Sequence, residues 1–148
     1  MRAITGIILH HTVTDEHAGP SVIEELHAAR GISRPGGYHW LVHRHFEGGP
    51  WTVSPMRPES KTGAHDKGQN QGTIGVSIAG RYHEDPVPAD GWDVLVIHVA
   101  ELCRRYRLPV AAVEGHAENE PASTPTLCPG YDPAELRRAL LCRIRRVQ

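Results

Sequence analysis

No apolar run in this sequence approaches the length needed to cross a bilayer, so no membrane insertion is expected. Charge of one sign is also missing. Sixteen Lys and Arg against seventeen Asp and Glu leave a formal net charge of −1, with a pI near 6.8. That balance gives no basic field for nucleic acid. The opening MRAITGIILHHT lacks the long apolar segment and small-residue cleavage site of a secretory leader, which predicts synthesis into the cytoplasm. Cysteine is scarce and odd in number: Cys103, Cys128 and Cys142 make a poor disulfide framework. There is no internal repeat, low-complexity tract or linker. What remains is a chain of 148 residues, 39% hydrophobic and 22% charged, which fits one globular domain over 1–148.

The abundant residue is histidine, with eleven copies, and position decides what they do. Residues 3–10, AITGIILH, read as a buried strand that delivers His10, His11 and Thr12 at its carboxyl end. Ligand sites gather at such ends in open α/β sheets. Pro20 and Ser21 open a helix over roughly 21–30, with Val22, Ile23, Leu26 and Ala29 near helical spacing. YHWLVHR at 38–44 and WTVS at 51–54 form a hairpin around Gly48-Gly49. The polar, Gly-rich stretch 57–73 is a long loop, and long ordered loops tend to carry function. IGVSIAG at 74–80 is an alternating strand. The clearest helix covers 91–106, where Trp92, Leu95, Val96, Val99, Leu102, Cys103 and Tyr106 form a core-facing stripe. Residues 110–114 form a short strand ending at His116, and Pro133 starts a last helix to about 146. The pattern predicts an α/β domain: a central mixed β-sheet flanked by helices.

Three candidate ligands end or interrupt separate elements. His10 follows the first strand, His116 follows the last, and Cys128 sits in the loop TLCPG. Two imidazoles and a thiolate fit a catalytic zinc site, which keeps a fourth position open for water. No local motif joins them, so spacing alone leaves metal binding beside the alternative of scattered imidazoles. Cys103 and Cys142 lie in helix-patterned apolar segments and read as buried thiols. His39, His43 and His45 alternate along the hairpin strand as a solvent-facing stripe, with a second metal site there as the weaker option.

Four blocks follow one another through almost the whole chain: ILHHT, GGYHWLVHR, GAHDKGQNQGTIGVSIAG, and EGH with TLCPG. In that order they resemble the type 2 N-acetylmuramoyl-L-alanine amidases, the family of phage lysozyme-amidases and peptidoglycan recognition proteins. The resemblance implies a zinc-containing groove with Zn2+ held by His10, His116 and Cys128, and bacterial peptidoglycan as the partner. It places Tyr38 beside the attacking water or the tetrahedral intermediate. Thr126, two residues before the cysteine, falls where active relatives carry Lys or Thr to steady the oxyanion. The segment ENEPASTPT lengthens the loop before Cys128, which makes Thr124 a competitor for that role. His65 of GAHDKG is a candidate substrate contact or a loop anchor, and Asn70 reads as a loop pin.

The implied activity is zinc-dependent hydrolysis of the amide between the muramic acid lactyl group and L-alanine. With no leader and no separate wall-binding module in view, the expected setting is a monomeric phage endolysin. It would be made in the cytoplasm and reach the wall once the membrane is breached. A recycling amidase acting on soluble muropeptides is the alternative setting. Two rivals belong to other classes: a recognition module that binds peptidoglycan without cutting it, and a metal-free cysteine hydrolase pairing Cys128 with His116. The five arginines Arg137, Arg138, Arg143, Arg145 and Arg146 read as a solvated, dipole-matched helix end or as an attraction to an anionic wall.

Overall fold

The computed structural model describes residues 2–119 and 126–147, with no side-chain account of Val147. Five strands make one mixed sheet: β1 (Gly6–His11), β2 (Trp40–Arg44), β3 (Trp51–Pro55), β4 (Thr73–Ile78) and β5 (Val113–Gly115). Their spatial order is β3-β2-β4-β1-β5. Only the β2–β3 hairpin is antiparallel; β1 pairs in parallel with β4 and β5, and β2 in parallel with β4. Three helices complete the described architecture: α1 (Pro20–Ala28), α2 (Ala89–Tyr106) and α3 (Pro133–Val147). The α/β domain is the one expected, with element ends shifted by a few residues. Short 3-10 turns cover Asn70–Gly72, Val110–Ala112 and His116–Glu118.

The two sheet faces are built differently. Ile7, Leu9, Ile74, Val76 and Ile78 share one core with Leu95, Val99 and Leu102 of α2 and Leu136 and Leu140 of α3. The opposite face carries shorter side chains on its central strand, Thr73, Gly75 and Ser77. It is covered only by α1 and by loops, through a small cluster of Ala18, Ile23, Leu41, Met56 and Ala79. Every residue of β1 and β4 is buried, so both faces of these central strands are covered.

Two expectations are corrected here. His39 and His43 are buried rather than part of a solvent-facing stripe, although His45 is exposed. His39, just before β2, lies against Arg2 and the loop carrying Lys61, and its Nδ1 accepts the Gly75 N–H at 2.9 Å; His43 lies beside Gly19 at the entry to α1 and meets Ser54 Oγ at 2.8 Å. Cys142 is exposed, unlike buried Cys103, because it lies on the outer face of α3. Of the apolar residues at helical spacing in α1, Ile23 is buried while Val22 and Leu26 are exposed, and His27 is the second residue the helix buries.

One imidazole far from the other face makes acid sensitivity testable. His98 of α2 lies edge-on to Trp40, ring centroids 4.8 Å apart, and its Nε2 is buried without a hydrogen-bond partner among the described residues. Burial, then the charge of Arg105, lowers its pKa from 6.5 to about 4, against the opposing pull of Glu59 and Glu101. The unfolded chain therefore takes up this proton first. The associated stability is present above pH 6.5 and is lost as pH falls toward 4. His98→Phe should flatten that acid limb by up to about 3 kcal/mol, read as the difference in urea midpoints at neutral and acidic pH. Parallel acid loss in both proteins would count against this assignment.

Candidate metal centre

The site grows from the register of three parallel strands. His10 is opposite Ser77 on β4, and Leu9 is opposite Gly115 on β5. His116, the next residue after β5, therefore emerges beside His10, with ring centroids 4.8 Å apart. The loop after residue 126 brings in Cys128. Its carbonyl accepts the Ala117 N–H at 2.7 Å, which straps it to the turn that carries His116. That turn is held from behind. Glu118 accepts the Gly115 N–H at 2.8 Å and a two-pronged bond from Arg137 of α3, at 2.7 and 2.9 Å. Arg137 is thus engaged in the fold rather than free to meet a wall.

One ligand atom from each of His10, His116 and Cys128 lies within 4.8 Å of the other two. His10 Nδ1 is 3.6 Å from Cys128 Sγ. Tetrahedral zinc, at about 2.1 Å from nitrogen and about 2.3 Å from sulfur, would hold those atoms about 3.6 Å apart. The donor set and its spacing fit a zinc ion. The electrostatics fit as well. Burial, reinforced by His65 and His116, keeps His10 neutral, its pKa well below the ordinary value. Its lone pair is free to bind. Burial, with Asp66 adding its charge, pushes the Cys128 thiol up to about 12, while the His11 N–H pointing at the sulfur opposes this. A thiol so placed is a poor free nucleophile, but a divalent cation would turn it into a bound thiolate. That environment disfavours the cysteine-hydrolase alternative, which needs a ready thiolate.

Around the three ligands lies a cleft of about 680 Å³ whose lining includes Tyr38, Thr126 and Leu26. The Tyr38 ring stands 5.0 Å from that of His10 and 4.8 Å from that of His27. Burial raises its pKa, so it stays a phenol with a proton to donate. Thr126 Oγ1 accepts the Cys128 N–H at 3.1 Å, which leaves its own hydrogen free for the cleft. Thr124 lies outside the described residues. His11 is used structurally: its Nδ1 accepts the Tyr82 N–H at 3.0 Å.

His65 lines the same cleft but is 8% exposed, and its Nδ1 is 3.0 Å from His10 Nε2. Asn70 pins its loop as expected, Oδ1 accepting the N–H groups of both His65 and Asp66 at 2.8 and 2.9 Å. Sequence reasoning passed over Asp66 and Asn119. Asp66 Oδ1 is 3.5 Å from His116 Nε2, and Asn119 donates to the other carboxylate oxygen. The available signal was the run HDKGQN, in which an acid follows the histidine and an Asn stands four residues later.

A mixed sheet presenting two imidazoles and a thiol from the carboxyl ends of its strands and a following loop defines an α/β protein with a candidate three-ligand metal site. The chain belongs to the N-acetylmuramoyl-L-alanine amidase family, whose model matches residues 1–131. Among solved structures it is similar to the endolysin N-acetylmuramoyl-L-alanine amidase LysCS from Clostridium intestinale, with 28% identity and a TM-score of 0.78 over 95% of this chain and 85% of that one. The Ph2119 endolysin from a Thermus scotoductus bacteriophage is 25% identical, TM-score 0.74, over 94% and 86%. Drosophila peptidoglycan recognition protein SA shares the fold at 19% identity and a TM-score of 0.67, over 88% and 75%. No curated protein matches the chain by sequence.

Proposed function

We propose that the chain is a zinc-dependent N-acetylmuramoyl-L-alanine amidase that cuts peptidoglycan between the muramic acid lactyl group and L-alanine, in the setting of a phage endolysin. The observation that carries this reading is the convergence of His10, His116 and Cys128, within 4.8 Å of one another, beside a buried phenol in an open cleft. His10, His116 and Cys128 would hold the ion. Zinc, when bound, supplies polarisation of water and carbonyl, bringing a water's pKa to about 7.

The remaining work falls to the chain itself. Hydrolysis adds water's oxygen to the lactyl carbonyl carbon, breaks the C–N bond and delivers a proton to the departing L-alanine nitrogen. Negative charge gathers on the carbonyl oxygen on the way. Tyr38, a phenol beside His10, donates to the oxygen at the reacting centre, and the Thr126 hydroxyl, which also lines the cleft beside Cys128, is a second donor. Leu26 adds apolar surface to the cleft wall against which a stem peptide can lie. The 28% identity to the Clostridium endolysin amidase, over 95% of this chain and 85% of that one, favours a lytic enzyme over a recycling one.

The test is mass spectrometry of intact peptidoglycan sacculi and of soluble muropeptides, each treated with the protein with and without a chelator. New L-alanine amino termini on intact glycan strands, appearing from sacculi only when zinc is available, are the expected result. Release from soluble muropeptides alone would favour the recycling setting. Retention on sacculi without cleavage would leave a recognition module in place of an enzyme.

A further inference from the structure

We propose that the segment His65–Asn70 is a two-pronged orienter that presets the proton position on both histidine ligands, so that His10 and His116 each meet the metal through Nδ1. The proposal rests on the metal-centre reading above and adds the residues that aim its imidazoles.

The first prong can be traced from its far end. The Gln69 carbonyl can only accept, so Thr73 Oγ1, at 2.7 Å, donates to it. The Thr73 oxygen then faces His65 Nε2 at 3.4 Å with lone pairs alone to offer, so Nε2 carries the His65 proton. His65 Nδ1 is left as an acceptor toward His10 Nε2 at 3.0 Å, which must be the protonated nitrogen of His10. The lone pair of His10 is thereby placed on Nδ1, the atom that faces Cys128 Sγ.

The second prong is shorter. The Asp66 carboxylate accepts only, and one oxygen lies 3.5 Å from His116 Nε2 while Asn119 fills the other. On this reading His116 carries its proton on Nε2, facing that oxygen, and offers Nδ1. Both prongs start from adjacent residues whose backbone N–H groups share one acceptor, Asn70 Oδ1. A single side chain fixes the aim of two ligands from different strands.

The slot for His65 is built for a flat ring. A Cβ on Gly75 would lie 2.5 Å from the imidazole, and a Cβ on Gly63 would also lie 2.5 Å from it. The two glycines of this region thus find a use in seating the orienter. Outer partners of this kind typically carry about 10–100-fold of metal affinity.

The experiment is zinc affinity by competition with a chromogenic chelator, paired with long-range 1H–15N correlation spectra of the zinc-loaded protein. Wild type should show metallated Nδ1 and protonated Nε2 on both ligands. His65→Phe, which fills the slot without an acceptor, and Asp66→Leu should each weaken zinc binding by about 10–100-fold. His65→Gln and Asp66→Asn, which restore an acceptor, should recover much of it. Asn70→Ala should weaken binding at least as much as either prong alone, with thermal melts of the metal-free proteins confirming that each variant folds. Wild-type affinity retained in both folded His65→Phe and Asp66→Leu, or coordination through Nε2, would overturn the orienter and leave the metal centre standing. A wild-type chain that takes up no zinc would overturn both.

Discussion

Replacing Cys128 by serine should empty the centre of zinc and lower peptidoglycan cleavage by at least about a thousandfold, since a bound metal contributes several kcal/mol to such a reaction. The cause is charge as much as geometry. The sulfur sits 3.6 Å from His10 Nδ1 and receives the His11 N–H at 3.4 Å, a pocket suited to an anionic sulfur neutralised by a cation. Serine keeps nearly the same shape but holds its proton far more tightly, so the one anionic contact among the three is lost. The measurements are zinc per chain by elemental analysis and release of L-alanine termini from sacculi. Full zinc content in Cys128→Ser, or cleavage by wild type that a chelator leaves untouched, would remove Cys128 from the ligand set.

Tyr38→Phe should behave in the opposite manner, keeping zinc while losing about 10²–10³ in kcat. The phenol is not a candidate ligand, and its ring packs between His10 and His27 at 5.0 and 4.8 Å. Phenylalanine can fill that space and preserve both contacts. Only the O–H is lost, and with it a donor poised where charge develops. KM for soluble muropeptide should change far less than kcat, because the missing bond matters most in the transition state. Unchanged kcat in the zinc-loaded variant would assign Tyr38 to packing alone.

These two residues also mark how much of the site is legible in the chain. A strand that ends on His10 is plain from AITGIILH, because apolar runs and strand ends are local signals. The stripe of α2 is equally local, with Leu95, Val99 and Leu102 fully buried as its spacing requires. The meeting of His10 with Cys128 is not local: nothing in the spacing reveals a contact made across β5 and a returning loop, and the family blocks supply it instead. His39 and His43 were misleading because alternation implies an exposed face only where one side of a sheet meets solvent, and here Arg2 and the loop of Lys61 cover His39 while the segment entering α1 covers His43. Asp66 escaped for a different reason. Its value lies in facing His116, whose position depends on the parallel pairing of β1 with both β4 and β5.

The wide separation of the ligands has a consequence for biosynthesis. His10 and Cys128 are 118 residues apart, so a chain emerging from the ribosome holds a single ligand of this set until His116 appears. It lacks the third until Cys128 follows. A zinc finger can capture its ion within a few dozen residues, but here the sheet must close first. On the proposed zinc reading, metal uptake is then a late event, because the strand register that carries His10 and His116 and the final loop that carries Cys128 must all be in place. On that reading, the molar ratio of zinc to protein in a purified preparation becomes a count of correctly finished molecules.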